Sequence, residues 1–416
     1  YFQRALNIAR GLNDPAILAH TLNRIGNWNL NRGEPTQALG YHNEALEIFE
    51  GLQDKHGIAQ TLDLLGITLY VGGDLINGSR RYEQSLNFFR ELHDRQGMIN
   101  SLTYLGVRSR FTTEVLDVES LDRLLPACET GLQLAREIGW RSAESALISS
   151  LAHCLTAMGE YGLALDSGQA ALEIAEDIQH FEWMCSASWA LGSIYHHLFH
   201  FHKAQSLLEK ALAMATAIRS TLYIQDVSAT LALNLIALGE LGQAQTVLDG
   251  ILVPGETWKT WGLRLCQCSY AELEIERGNP ERALEILDGL IASAKNIPPA
   301  GPRSIPRLAY LRGMALAGLE MAEDAEIELR AAREVADLQA CKPVLWRAHI
   351  ELGKVLLSLK QNDAAQVEFF AAHTLVEELA AGIADETLGS DFRRHAGELI
   401  PTSTLLTPRQ AAKLKY

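Results

Sequence analysis

The sequence is poor in most of what marks catalytic or covalently stapled proteins. Aromatic residues make up only 7% of it, too few for an aromatic-rich β-protein. Alanine and leucine fill the gap, which favours helices packed through small and leucine-sized contacts. Six cysteines stand singly, at 128, 154, 185, 266, 268 and 341, with no CxxC pair. That excludes a dense disulfide scaffold and a zinc or thioredoxin-like motif, and fits reduced, mostly buried thiols in a cytoplasmic protein. No apolar stretch approaches the ~18 residues of a membrane span; the run from Ala229 to Leu238 is broken by Thr230 and Asn234. Positive charge is scarce as well: 36 basic against 51 acidic residues leave a net charge of −15. A surface so acidic repels phosphate backbones, so direct nucleic-acid binding is not expected. There is no GxxxxGK[ST] loop, GxSxG elbow, HExxH or GxGxxG, so nothing argues for an enzyme or a bound cofactor.

What the chain has is a repeat. A column of small residues runs through Gly26, Gly66, Gly106, Ala152, Gly192, Ala232, Ala271, Gly313 and Gly353, with spacings of 40, 40, 46, 40, 40, 39, 42 and 40. Twelve positions later a second small residue follows in eight of the nine units, at Ala38, Gly78, Ala164, Ala204, Ala244, Ala283, Ala325 and Ala365. Each unit reads as two helices. The first ends near a punctuating glycine such as Gly33, Gly73, Gly159, Gly239 or Gly278, and the second carries apolar residues spaced by threes and fours. Small residues at one site per helix allow close approach, so each pair packs on the next. The prolines agree: Pro15 and Pro343 precede first helices, Pro35 and Pro280 sit in turns, and none is expected inside a helix.

Leu62, Leu65-Gly66, Leu69, Gly78 and Tyr82, and again Leu191-Gly192, Tyr195, Ala204 and Leu208, resemble the tetratricopeptide repeat family. Ala365-x3-Phe369 is a further fragment of its pattern. The resemblance covers roughly residues 1–380. It departs in period, about 34 being usual in that family, and longer helices like those in the repeat arrays of large bacterial signalling ATPases account for the difference. It implies an all-α, right-handed superhelix of about nine helix pairs. It further implies that first helices line a concave groove, which puts Asn23, Asn27, Gln60, Asp63, Tyr70, Asn100, Thr103, Arg110, His153, Trp189 and His196 on the groove face. Later units place Ala229, Leu233, Ile236 and Ile350 there instead. An effector in the polar N-terminal half and a partner helix or domain on the apolar half are expected; the plain alternative is a polar groove that meets only water.

Two stretches break the period: residues 111–117 in the third unit, and the proline-rich connector from Ile297 to Pro306. Each is a hinge, a partner-facing loop or a tolerated insertion. The histidines at 196, 197, 200 and 202 include an i, i+4 pair with metal-ligand spacing. No carboxylate or cysteine stands nearby, so surface or packed histidines are expected and no metal.

Residues 1–14 match the second half of a unit, so the chain is expected to be a piece of a longer protein. Residues 15–380 form the superhelix and 381–400 a capping helix. Residues 401–416 form a tail; from Asp391 onward the net charge is +3, against −18 for the rest. Leu399-Ile-Pro401 followed by Leu406 to Tyr416 resembles the connector that leads into a LuxR-type helix-turn-helix domain in large bacterial transcription regulators. That resemblance implies a sensor domain whose effector is a small molecule, a peptide or a protein, with the other domains of the same polypeptide as partners. A free-standing scaffold for protein assembly is the rival reading.

Overall fold

The computed structural model describes residues 2–107, 119–253, 258–294 and 305–401. Among these, the only regular secondary structure is helical. A first helix, α1 (Phe2–Gly11), precedes nine helix pairs: α2 (Pro15–Asn31) with α3 (Pro35–Leu52), α4 (Lys55–Val71) with α5 (Leu75–Glu91), α6 (Arg95–Val107) with α7 (Glu119–Glu137), α8 (Arg141–Met158) with α9 (Tyr161–Asp177), and α10 (Phe181–His197) with α11 (Phe201–Ala217). They continue as α12 (Thr221–Ala237) with α13 (Leu241–Asp249), α14 (Trp261–Glu276) with α15 (Pro280–Ala292), α16 (Pro306–Gly318) with α17 (Ala322–Leu338), and α18 (Lys342–Ser358) with α19 (Asn362–Ala381). The last helix is α20 (Glu386–Glu398).

The turns explain the punctuation. Gly33, Gly73, Gly159, Gly239 and Gly278 all have φ between 75° and 83°, the left-handed region that ends helices. In three turns between paired helices a residue with a side chain does the same: Phe199, Glu320 and Lys360, at φ 61° to 63°. Helix starts are fixed by side chains. Asp14 accepts from the amides of Ala16 and Ile17, Asp54 from those of His56 and Gly57, and Pro15, Pro35 and Pro280 are first helical residues. One expectation fails. Pro126 lies inside α7, where it withholds an amide from the helical ladder.

The small-residue columns are the seams of the core. Ala38, Ala164, Ala204, Ala244, Ala283, Ala325 and Ala365 are wholly buried. Five of the six first-column glycines lie beneath a side chain sixteen positions on: a methyl group on Gly66 would come within 2.7 Å of Tyr82, on Gly192 within 2.7 Å of Leu208, and on Gly353 within 2.5 Å of Phe369, while Gly106 lies beneath Cys128. All six cysteines are buried.

The superhelix winds tightly enough for successive turns to touch. Lys342 Nζ, at the start of α18, reaches Glu160 Oε1 at 3.1 Å across 182 residues of chain, and Glu378 Oε1 at 2.9 Å. Phe392 of α20 is fully buried, its ring 5.6 Å from Tyr161 and 5.9 Å from Phe199. Asp391 pairs with His200 at 3.5 Å. Gly162 abuts the carbonyl oxygen of Gly382 so closely that no side chain fits. The final helix therefore seals one turn against the next.

Candidate functional site

Two cavities lie inside the coil, and every described residue lining them belongs to a first helix or the residue capping it. The first helices are thus the concave wall. The lower cavity, about 140 Å³, is lined from α8 (His153, Thr156), α10 (Trp189, Ser193, His196, His197), α12 (Ala229, Thr230, Leu233), α14 (Leu265, Cys268, Ser269), α16 (Arg307) and the start of α18 (Pro343, Val344). Because α18 comes back against α8, these six helices close a ring. The upper cavity, about 280 Å³, is lined from α2, α4 and α6 and from the N-terminal ends of α8, α10, α12 and α14.

Trp189 is the centre of the lower cavity. Only 4% exposed, it donates from Nε1 to Thr230 Oγ1 at 2.8 Å and packs its ring 4.5 Å from that of His153. His196 bonds Asn234 Oδ1 through Nδ1 at 3.3 Å. Burial, with the nearby Arg347 guanidinium, lowers His196 to about 4. Burial and the neighbouring His196 push His197 well below its ordinary value, so both rings are neutral at physiological pH. Arg307 stays charged: Glu272 accepts from it at 2.9 Å, and it outweighs its own burial through Cys268 and Glu272. The histidine run does not converge. His197 stacks on Tyr161 and His200 turns to Asp391, and among the described residues no cluster of three His, Cys, Asp or Glu has metal-binding geometry.

In the upper cavity Trp261 Nε1 donates to Asp226 Oδ1 at 2.9 Å. Trp183, Tyr223 and Tyr104 add aromatic wall, Glu182 stands at the mouth, and Asn27 and Thr103 complete the opposite side. Four helices, α8, α10, α12 and α14, contribute to the lining of both cavities.

The sequence-derived candidates divide. His153, Trp189 and His196 meet in the lower cavity, Asn27 and Thr103 in the upper. Gln60 and Asn100 are exposed and line neither. Asp63 accepts from Ser101 Oγ at 2.7 Å, and burial raises its carboxyl to about 7. Two candidates are not on the groove wall. Asn23 is buried between Thr61 and His42, 2.8 and 3.0 Å away. Tyr70 is wholly buried, its hydroxyl 2.8 Å from Ser79 Oγ and its ring edge-on to Tyr82. Asn23 stands at the repeat position of Trp189 and Tyr70 at that of His196, yet in these units the side chain packs against the partner helix, so phase alone does not decide which residues reach the groove. Arg110, residues 111–117, most of the proline-rich connector and the basic tail lie outside the described residues. The division of the groove into a polar and an apolar half does not survive either. Winding brings Leu233, Leu265 and Val344 opposite His153 and Trp189 in one cavity. Arg307, Trp261, Asp226 and Tyr223 were not singled out in the sequence; their partners stand one repeat away, Trp261 with Asp226, Arg307 with Glu272 and Tyr223 with Trp189.

Among known proteins, residues 142–217 match the tetratricopeptide repeat model. A search of the curated proteins finds no match. Of solved structures, a Rap protein complexed with competence and sporulation factor superposes with a TM-score of 0.51 at 15% identity, over 80% of this chain and 79% of that one. NprR in complex with its cognate peptide NprX gives the same TM-score at 12% identity, over 82% and 98%. At such identities the likeness is one of fold. Residues 142–217 thus match the tetratricopeptide repeat model, and they lie within a helical solenoid whose fold is like that of the Rap protein.

Proposed function

We propose that this chain is an effector-binding repeat domain of a bacterial LuxR-type transcription regulator, that it takes its effector into the lower cavity, and that it catalyses nothing. The observation that carries the reading is the closed ring of six first helices around Trp189, a concave, largely apolar cavity with a few convergent polar groups. Two proteins of like fold hold a cognate factor or peptide, which supports a peptide or small molecule here. The regulatory mechanism is a bias between two windings. An effector shifts their equilibrium only by its difference in affinity for them, and the cavity sits where α18 meets α8, so its occupancy bears on the seal between turns. On this reading the protein is cytoplasmic, α1 completes a repeat begun upstream, and the segment after α20 leads to a DNA-binding domain. The rival, a free-standing scaffold, predicts a reading frame with neither a P-loop before Tyr1 nor a helix-turn-helix after Tyr416.

A thermal-shift screen of metabolites and short peptides tests the binding claim. A true effector at ~100 times its dissociation constant adds about 2.7 kcal/mol. Ser193→Phe, which fills the lower cavity, abolishes that shift if the reading holds. A shift that survives the filled cavity contradicts it.

A further inference from the structure

The described lining of the lower cavity includes Arg307 and neither aspartate nor glutamate. We infer that its ligand is a small organic anion, one carboxylate or phosphate group on a compact apolar body, held by the guanidiniums of Arg307 and Arg347. This rests on the effector reading and names the class of its ligand. Arg347 stands one helical turn beyond Pro343, a lining residue, and donates to its carbonyl oxygen at 2.9 Å. Its other partners among the described residues are the Tyr161 hydroxyl and the Trp346 ring, 4.3 Å away, and no carboxylate pairs with it. Arg307 bonds Glu272, outside the lining, and the Cys268 thiol. With five N–H donors, a guanidinium so engaged still has bonds to give. The acidic residues nearby are spent or remote. Glu272 is paired with Arg307 and Glu351 with Lys354 at 2.8 Å, while Glu276 stands two helical turns beyond the lining residue Ser269.

Both charges are felt at the histidines of the lining. Burial is the main cause of the low values of His196 and His197, and the guanidiniums of Arg347 and Arg307 depress both further. An anionic oxygen placed among them gains from the same field, and a low local dielectric strengthens that gain. His197 adds an unmet atom: its Nδ1 is buried with no hydrogen-bond partner among the described residues. That is a costly state, which a ligand oxygen relieves by accepting from the N–H tautomer. The rest of the lining suits an apolar body, with Trp189, Leu233, Leu265 and Val344 on four different helices. At about 140 Å³, the cavity has room for on the order of ten waters. It therefore takes a body of about ten non-hydrogen atoms and not a chain of several residues.

The test is calorimetric titration of the full chain with benzoate and with phenyl phosphate, each beside a neutral counterpart of like shape, benzamide and phenyl sulfamate. At least one anion is expected to bind about tenfold or more tightly than its counterpart, as for hydrogen bonds to charged groups. The tighter of the two anions identifies the head group. Arg307→Gln and Arg347→Gln should each narrow the preference for the anion, and the corresponding lysine variants should restore part of it. Ser193→Phe should abolish binding. Thermal melts report whether each variant is folded, and the comparison of anion with neutral counterpart on the unaltered chain stands without them. Anions that bind no better than their counterparts, or not at all, overturn the assignment, as does a preference that survives both glutamine variants. The effector reading then still stands on any neutral compound of the thermal-shift screen whose shift Ser193→Phe abolishes. Anion binding that persists in a folded Ser193→Phe variant overturns the location.

Discussion

At the scale of single residues, the repeat is a set of local solutions that tolerate substitution unequally. The left-handed turn position is filled by glycine in most turns between paired helices but by Lys360 in the last pair, at φ 61° with an exposed side chain. Glycine relieves the crowding between Cβ and backbone, so Lys360→Gly should raise stability by about 1 kcal/mol; chemical denaturation reads it. His42 is the counterpart of Tyr82 and Phe369, the ring above the glycine, and burial holds it at about 4. The unfolded chain takes up its proton near the ordinary value of 6.5, and the folded chain does not. Stability from this site is therefore complete above 6.5 and lost as pH falls toward 4. His196 acts in the same sense. Asp63, raised to about 7 from 3.8, acts oppositely: its protonated form is favoured in the fold, and its contribution is lost as pH rises toward 7. His42→Phe should make the acid limb shallower by up to about 1.4 kcal/mol per pH unit. Urea melts from pH 7 to pH 4 give that slope, and an unchanged one contradicts the burial of a neutral ring.

At the scale of the element, the helix pair was legible in the sequence because its determinants are local. The spacing of Gly26, Gly66 and Gly353, the turn glycines and the N1 prolines each act within forty residues or fewer. Pro126 was misread for the converse reason: nothing local distinguishes a proline that opens a helix from one carried within it. Pair packing also explains why Tyr70 and Asn23 were misplaced on the groove, since both face the partner helix across the seam. The same seam predicts the cost of overpacking. A side chain at Gly192 meets Leu208 and the Ala204 carbonyl, so Gly192→Leu should cost about 1–3 kcal/mol. In a solenoid that loss spreads to neighbouring pairs and fades along the chain. Hydrogen exchange should show lost protection centred on α10 and α11, with α2 to α5 unaffected; uniform loss along the chain would contradict modular stacking.

At the scale of the whole molecule, winding does what no single repeat can. The contacts of Lys342 with Glu160 and of Phe392 with Tyr161 and Phe199 join segments far apart in sequence. They close the first helices from α8 to α18 into a ring. Only half of the candidate site was readable beforehand, because His153, Trp189 and His196 share a helical phase while Arg307 and Val344 reach them through superhelical closure. The central claim is that the effector lies inside that ring. Hydrogen exchange of the full chain, with and without the best-binding compound of the thermal-shift screen, addresses it most directly. An effector in the lower cavity predicts slowed exchange in α8, α10, α12 and α14 and at the start of α18, with α9, α11 and α17 unchanged. Slowing confined to those outer helices, with none in α10 and α12, would contradict it.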